Sequence, residues 1–232
     1  QMINSGSGSL TKIFNKDGTQ TIAQFNFNLI TGVTGAGDPI LLYDKLANRW
    51  LLTEFGYTGG VTSYVNTLIL AVSADENPLG SWYVYVYADN TFFVDFPKFA
   101  IWPDAYYATS NDFNTAGTAY LGSSVYAFDR TAMLSGAANA VGIRTRLNNA
   151  DSRYFSMAPV TFEGVMPPPG GAKGMFLYYT NDAFTVDPAD VDSIYMITMT
   201  PDFVIPANTV ISAPTRFVAT AFDDELCTAI RG

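Results

Sequence analysis

The sequence predicts an all-β fold built from repeated four-stranded antiparallel units, and three observations carry that expectation. The first is composition. Of 232 residues, 48% are hydrophobic and 15% aromatic, and the acids are 17 Asp against 4 Glu, with only 5 Lys. Helix surfaces draw on Glu, Lys, Ala and Leu, whereas Asp, Gly and Pro mark turns and Tyr and Phe favour strands. The second is a repeated segment: YYATSNDF (106–113) and LYYTNDAF (177–184) nearly copy each other. The third is the order of apolar runs around them. Each copy follows a short segment containing an acid and precedes two further apolar runs, and a diverged third copy lies upstream. A four-stranded antiparallel unit recurring in this way points to the blades of a β-propeller.

In chain order, LTKIF (10–14) and TQTIAQFNF (19–27) flank Asn15, Lys16, Asp17 and Gly18. They read as a hairpin on an Asp-Gly turn, the outer pair of a partial blade over 1–37. The first full blade, near 38–95, strings together GDPILLYD (37–44), RWLLTEF (49–55), TLILAVSAD (67–75) and WYVYVYAD (82–89). In its last strand, alternation puts Tyr83, Tyr85 and Tyr87 on one face and Trp82 on the other. Packing between blades is favoured for them over an exposed platform for sugar rings. The second blade, near 96–153, runs through PKFAIWPD (97–104), YYATSNDF, SSVYAFDR (123–130) and AVGIRTR (140–146). The third, near 154–214, runs through FSMAPVTFEG (155–164), LYYTNDAF, DSIYMITMT (192–200) and NTVISAP (208–214). TRFVATAFDD (215–224) is then expected as the inner strand of a following partial blade over 215–232. No linker interrupts the pattern, so the expectation is one domain over 1–232. The two partial blades either join and close a four-bladed ring or belong to a longer propeller. The longer chain is the favoured expectation, because the single cysteine, Cys227, has no partner and no leader-like segment opens the sequence.

Composition also excludes function classes. A net charge of -9, a pI near 4.3 and 12 basic residues scattered singly argue against a nucleic-acid partner. No stretch is long and apolar enough for a membrane-spanning helix. With no histidine and one cysteine, the Ser-His-Asp and Cys-His nucleophile systems, zinc sites of the His or Cys type and an internal disulfide are all removed. Chemistry would have to run on carboxylates, hydroxyls and tyrosines. The sequence calls for no cofactor. Asp75, Glu76 and Asn77, and Asp187, Asp190 and Asp192, supply the hard oxygens that suit calcium, with solvated turns the favoured reading of both.

GDPILLYDKLANRWLLTEF, AVSADENPLGSWYVYVY, FPKFAIWPDAYYATSNDF and SSVYAFDRTAML together resemble the propeller segments of large secreted or surface-associated bacterial proteins. The resemblance covers roughly residues 1–227 and is most specific at Trp102-Pro103-Asp104-Ala105-Tyr106-Tyr107 and Tyr126-Ala127-Phe128-Asp129-Arg130. It implies a secreted or cell-surface location, further blades, and a second cysteine beyond Cys227. The upstream cysteines of that group are absent here.

Asp38, Asp104 and Glu163 stand at corresponding places in the first strand of the three units, so in a propeller they would line the central channel. Converging carboxylates can divide into acid and base. Asp38-Pro39 and Glu163-Gly164 are similar to the base and acid motifs of arabinanase and β-xylosidase-like glycosidases, themselves propellers. The additional histidine and aspartate residues of those enzymes are lacking here. A structural role at strand ends is the favoured reading of the three acids. Trp102, Asp104 and Tyr106 form the best candidate for a ligand site, and 166–171 (MPPPGG) reads as an inter-strand loop. The expected function is a non-catalytic extracellular module that binds or scaffolds, with a polysaccharide or a surface protein as partner. The alternative is a glycoside hydrolase using Asp38, Asp104 and Glu163.

Overall fold

The structure is a computed structural model that describes residues 2–4, 9–21, 25–58, 65–89, 91–147, 152–181 and 191–222. Nearly all regular structure in them is antiparallel β, arranged as four sheets. The first sheet holds β1 (Met2–Asn4), β2 (Ser9–Thr11) and β3 (Phe25–Asn26). The hairpin expected on the Asp-Gly turn is there: Leu10 pairs Asn26, Thr11 pairs Phe25 and Phe14 bridges Gln20. Gly18 takes the left-handed conformation (φ 87°) that closes the turn, and Asp17 accepts from the Thr19 amide and hydroxyl. A one-turn helix, α1 (Asn28–Thr31), follows and ends on Gly32.

The second sheet runs β4 (Thr34–Asp44), β5 (Arg49–Thr58), β6 (Val65–Ser73) and β7 (Trp82–Asp89) in sequential order. The third runs β8 (Phe93–Ile101), β9 (Ala105–Phe113), β10 (Tyr120–Asp129) and β11 (Gly142–Arg146). A short helix, α2 (Arg130–Leu134), breaks the last connection, capped by the Asp129 carboxylate on the Ala132 amide at 2.9 Å. The fourth sheet holds β12 (Ala158–Pro159), β13 (Gly174–Thr180), β14 (Ser193–Thr200), β15 (Val210–Ile211) and β16 (Thr215–Val218).

The sheet boundaries differ from the sequence expectation at the C-terminal side. Thr215–Val218 is not the inner strand of a further unit: it pairs with Ser193–Met196 of β14, while Val210–Ile211 pairs with Met199–Thr200. β15 and β16 are thus two halves of one edge strand, interrupted at Ser212, Ala213 and Pro214. Proline has no amide hydrogen to give the ladder, which accounts for the break. The N-terminal hairpin and Thr215–Val218 therefore lie in different sheets, and the ring that would join them in one sheet is not formed by the described residues.

The sheets stack face to face, and each interface is an apolar core. Leu51, Leu68, Leu70, Val72 and Tyr85 of the second sheet meet Phe99, Tyr106, Tyr126 and Phe128 of the third. Tyr107, Val125, Ala127 and Ile143 on the other face of the third sheet meet Phe176, Tyr178, Ile197 and Met199 of the fourth. Phe27 covers Leu52, Ile69 and Ala71 on the outer face of the second sheet. The uninterrupted apolar run of β6 follows from this: both of its faces are covered, so alternation gives way to continuous burial. Tyr83, Tyr85 and Tyr87 pack between the second and third sheets, with the Tyr85 and Tyr87 hydroxyls donating to the carbonyls of Met133 and Ala140 at 2.9 Å. The first strands are neighbours across the stack, β4 beside β8 and β8 beside β12.

Candidate functional site

The first strands carry two kinds of chemistry, one at each end. At the leading end, β4 and β8 each shift register at a bulge, between Gly37 and Ile40 and between Asp95 and Lys98. Each bulge holds a residue at positive φ followed by proline: Asp38 (φ 50°) before Pro39 and Phe96 (φ 51°) before Pro97. Ser156, ahead of β12, is a further residue at positive φ (61°). The structural counterpart of Asp38 in β8 is therefore Phe96, and not Asp104. Asp38 is close enough to Asp95 and Lys98 to influence both. Burial raises the pKa of Asp95, and the charge of Asp38 raises it further. Burial lowers the pKa of Lys98, against the pull of the two carboxylates. The Lys98 ammonium lies 3.4 Å from the centroid of the Phe96 ring.

At the trailing end the acids belong to turns. Asp44, fully buried, accepts from Arg130 Nε (2.7 Å) and Nη2 (3.0 Å), from the Tyr106 hydroxyl (2.9 Å) and from the amides of Leu46 and Ala47. Arg130 also donates to the Pro103 carbonyl, so one guanidinium fastens the turn of the second sheet onto the third. Glu163 meets Lys45 at 3.1 Å, with both side chains about half exposed. Asp104 accepts from the Tyr107 hydroxyl at 2.9 Å and stands at the wall of a cleft of about 260 Å3, whose far wall is the proline loop at Pro167, Pro168 and Pro169.

The structure thus separates Asp38 from Glu163, whereas Asp104 and Glu163 stand at the same end of the first strands, where the Phe162 amide bonds to the Ile101 carbonyl. Asp38 precedes the Lys45 turn by seven strand positions, which at the usual rise is roughly 20 Å. Glu163 is held at that turn. The suggested ligand trio diverges as well. Tyr106 is fully buried between the second and third sheets. Trp102 is buried on the opposite side, between the third and fourth, with its indole N–H on the Ala172 carbonyl at 2.8 Å. Of the three, Asp104 reaches the surface. In the Asp75 turn the carboxylate accepts the Asn77 amide, Asn77 accepts the Leu79 amide, and Glu76 gives its carbonyl to Trp50, an arrangement that holds a loop by internal hydrogen bonds. Asp187, Asp190 and Cys227 lie outside the described residues. Among the described residues no group of three or more acids, cysteines or histidines is placed to hold a metal ion.

Two features escaped the sequence reading. The first is a charged network under a cleft of about 300 Å3 between β7 and β11. Arg144 pairs with Asp89 and, at 2.7 Å, with the fully buried Asp112, which also accepts from Ser110 and Ser124. The signal available in the sequence was a lone acid and a lone arginine inside apolar strands, groups that tolerate burial only as partners. The second is a cleft of about 180 Å3 between the first and second sheets, lined by Phe14, Phe25, Trp50, Trp82, Pro78 and Lys12. The indole N–H of Trp50 donates to the Glu76 carbonyl (3.0 Å) and that of Trp82 to the Pro78 carbonyl (3.2 Å), so both rings are fixed in place. Comparison with known proteins finds no matching family model, no matching curated protein and no matching solved structure.

Proposed function

We propose that the chain is a non-catalytic β-propeller module of a secreted or cell-surface protein, used to bind a polysaccharide or to scaffold a larger assembly. The observation that carries this reading is the separation of Asp38 from Glu163. Glycosidase carboxylates work at about 5 to 9.5 Å, close enough to share one glycosidic bond. A separation of roughly 20 Å along β4 leaves no room for that division of labour. Asp44, Asp89 and Asp112 are likewise committed to arginines, the first two fastening the second sheet to the third and Asp112 holding Arg144 within the third. For binding, the cleft of Trp50 and Trp82 offers what a ring-shaped ligand needs: concave aromatic walls with a few polar groups at the rim.

A panel of arabinan, xylan and related glycans tests the reading in one set of tubes. The chain has 3 tryptophans, and Trp102 is sealed in a separate interface, so a change in tryptophan emission reports mainly on the cleft. The expected outcome is a saturable emission change with one class of glycan, lost in Trp82→Ala, and no new reducing ends. Release of oligosaccharides that disappears in Asp38→Asn and Glu163→Gln would reverse the reading in favour of a glycoside hydrolase.

A further inference from the structure

We infer that the cleft of Trp50 and Trp82 takes a single sugar ring carrying one anionic group, presented as a branch or chain end of an otherwise neutral glycan. The inference rests on the reading of this cleft as a glycan site and adds what the ligand carries. The two tryptophans offer ring faces only, because both indole N–H groups are already bonded to the carbonyls of Glu76 and Pro78. Such faces pack against the C–H side of a sugar and leave its polar groups to other residues. Those residues are Thr11 and Lys12, which line the same cleft. Among the described lining residues Lys12 is the only charged one. It enters none of the salt bridges among the described residues. The Thr11 hydroxyl is buried and has no hydrogen-bond partner among them.

Charge, size and the field of the whole molecule each narrow the ligand. An ammonium has three N–H donors and no acceptor, so its complement is an oxygen that accepts. A carboxylate or sulfate oxygen accepts about twice as strongly as a sugar hydroxyl. No acid lines the cleft among the described residues, so an incoming anion meets one cation and no opposing charge. The volume, about 180 Å3, falls below the roughly 300 to 1,000 Å3 of sites that enclose a drug-sized ligand, so one ring enters at a time. Beyond the cleft the chain carries a net charge of -9, which repels a continuous polyanion. A polyuronate fails on that last count, and an unsubstituted arabinan or xylan leaves Lys12 without a counterpart. An isolated acidic ring on a neutral chain meets all three conditions.

Tryptophan-emission titrations of the full chain with three xylooligosaccharides test the inference. One is unsubstituted, one carries a single glucuronate branch and one a single sulfate ester, so the last two separate carboxylate from sulfate as the source of the charge. At least one charged ligand is expected to bind about tenfold more tightly than the neutral one at low salt, the scale of one charge-assisted hydrogen bond. Salt at about 1 M is expected to remove most of that advantage. Lys12→Met is expected to erase the preference and Lys12→Arg to retain it. Should Lys12→Met fail to fold, Lys12→Gln and the salt series on the parent chain read the same quantity. Polygalacturonate is expected to bind more weakly than the better of the two charged oligosaccharides. Equal affinity for neutral and charged ligands, or a preference that Lys12→Met leaves intact, overturns the inference and leaves the cleft a glycan site. Tighter binding of polygalacturonate overturns it as well. No emission change with any of these glycans overturns the glycan reading itself.

Discussion

Asp44 shows how a single side chain can hold two sheets together. Its carboxylate takes two charge-assisted bonds from Arg130, one from Tyr106 and two from backbone amides, all without solvent exposure. Burial opposes the charge on Arg130, but the hydrogen bond and charge of Asp44 raise its pKa overall. Removing one partner leaves the other charged and dry. Asp44→Ala is therefore expected to lower unfolding stability by about 3 to 5 kcal/mol, read from urea denaturation. The paired change Asp44→Leu with Arg130→Met is expected to recover most of that loss, because a packed apolar pair has no desolvation to offset. Glu163→Gln touches an exposed pair with Lys45 and is expected to change stability by less than about 1 kcal/mol. None of this hierarchy could be read from the sequence. Asp44 is one acid among 17 aspartates, and its partner lies 86 residues away.

The strands were largely legible, and their register was not. In WYVYVYAD the alternation of tyrosine with small apolar residues announces an inter-sheet face, and the three tyrosines lie there. The equivalence of Asp38 with Asp104 failed because the acid of each segment does not mark one strand position: the matching bulges pair Asp38 with Phe96, whereas Asp104 lies beyond the end of β8. Two predictions belong here. Gly174 opens β13 directly beneath the Tyr107 ring, and a Cβ there would overlap the ring. Gly174→Ala is expected to destabilise by about 1 to 3 kcal/mol, since Tyr107 is packed on all sides and cannot withdraw. At the leading end, burial raises the Asp95 pKa above the ordinary 3.8. A raised carboxylate contributes stability below its unfolded pKa and loses it as pH rises through the folded value. Asp95→Asn is thus expected to melt higher than the parent at neutral pH and together with it well below pH 3.8. A gap that persists in acid would contradict the assignment.

At the scale of the molecule, composition announced the class correctly: many Asp, Gly, Tyr and Phe and few Glu and Lys correspond to four antiparallel sheets with two short α-helices and two single 3-10 turns among the described residues. Composition could not place the faces. Whether Trp102 and Tyr106 bind a ligand or fill a core depends on which sheets close over them, and β8 and β9 lie between two. The aromatic cleft was hidden for the converse reason, since Phe14, Trp50 and Trp82 come from three separate segments that only the stacking of the first two sheets brings together. The reading of the chain as a binding module rests on the separation of Asp38 from Glu163, and one distance tests it most directly. With Cys227→Ser to remove the native thiol, spin labels at Asp38→Cys and Glu163→Cys give the separation by double electron–electron resonance. A distribution centred at roughly 20 Å or more is the result expected from opposite ends of a strand. A separation under about 10 Å would place both groups at one glycosidic bond and contradict the account.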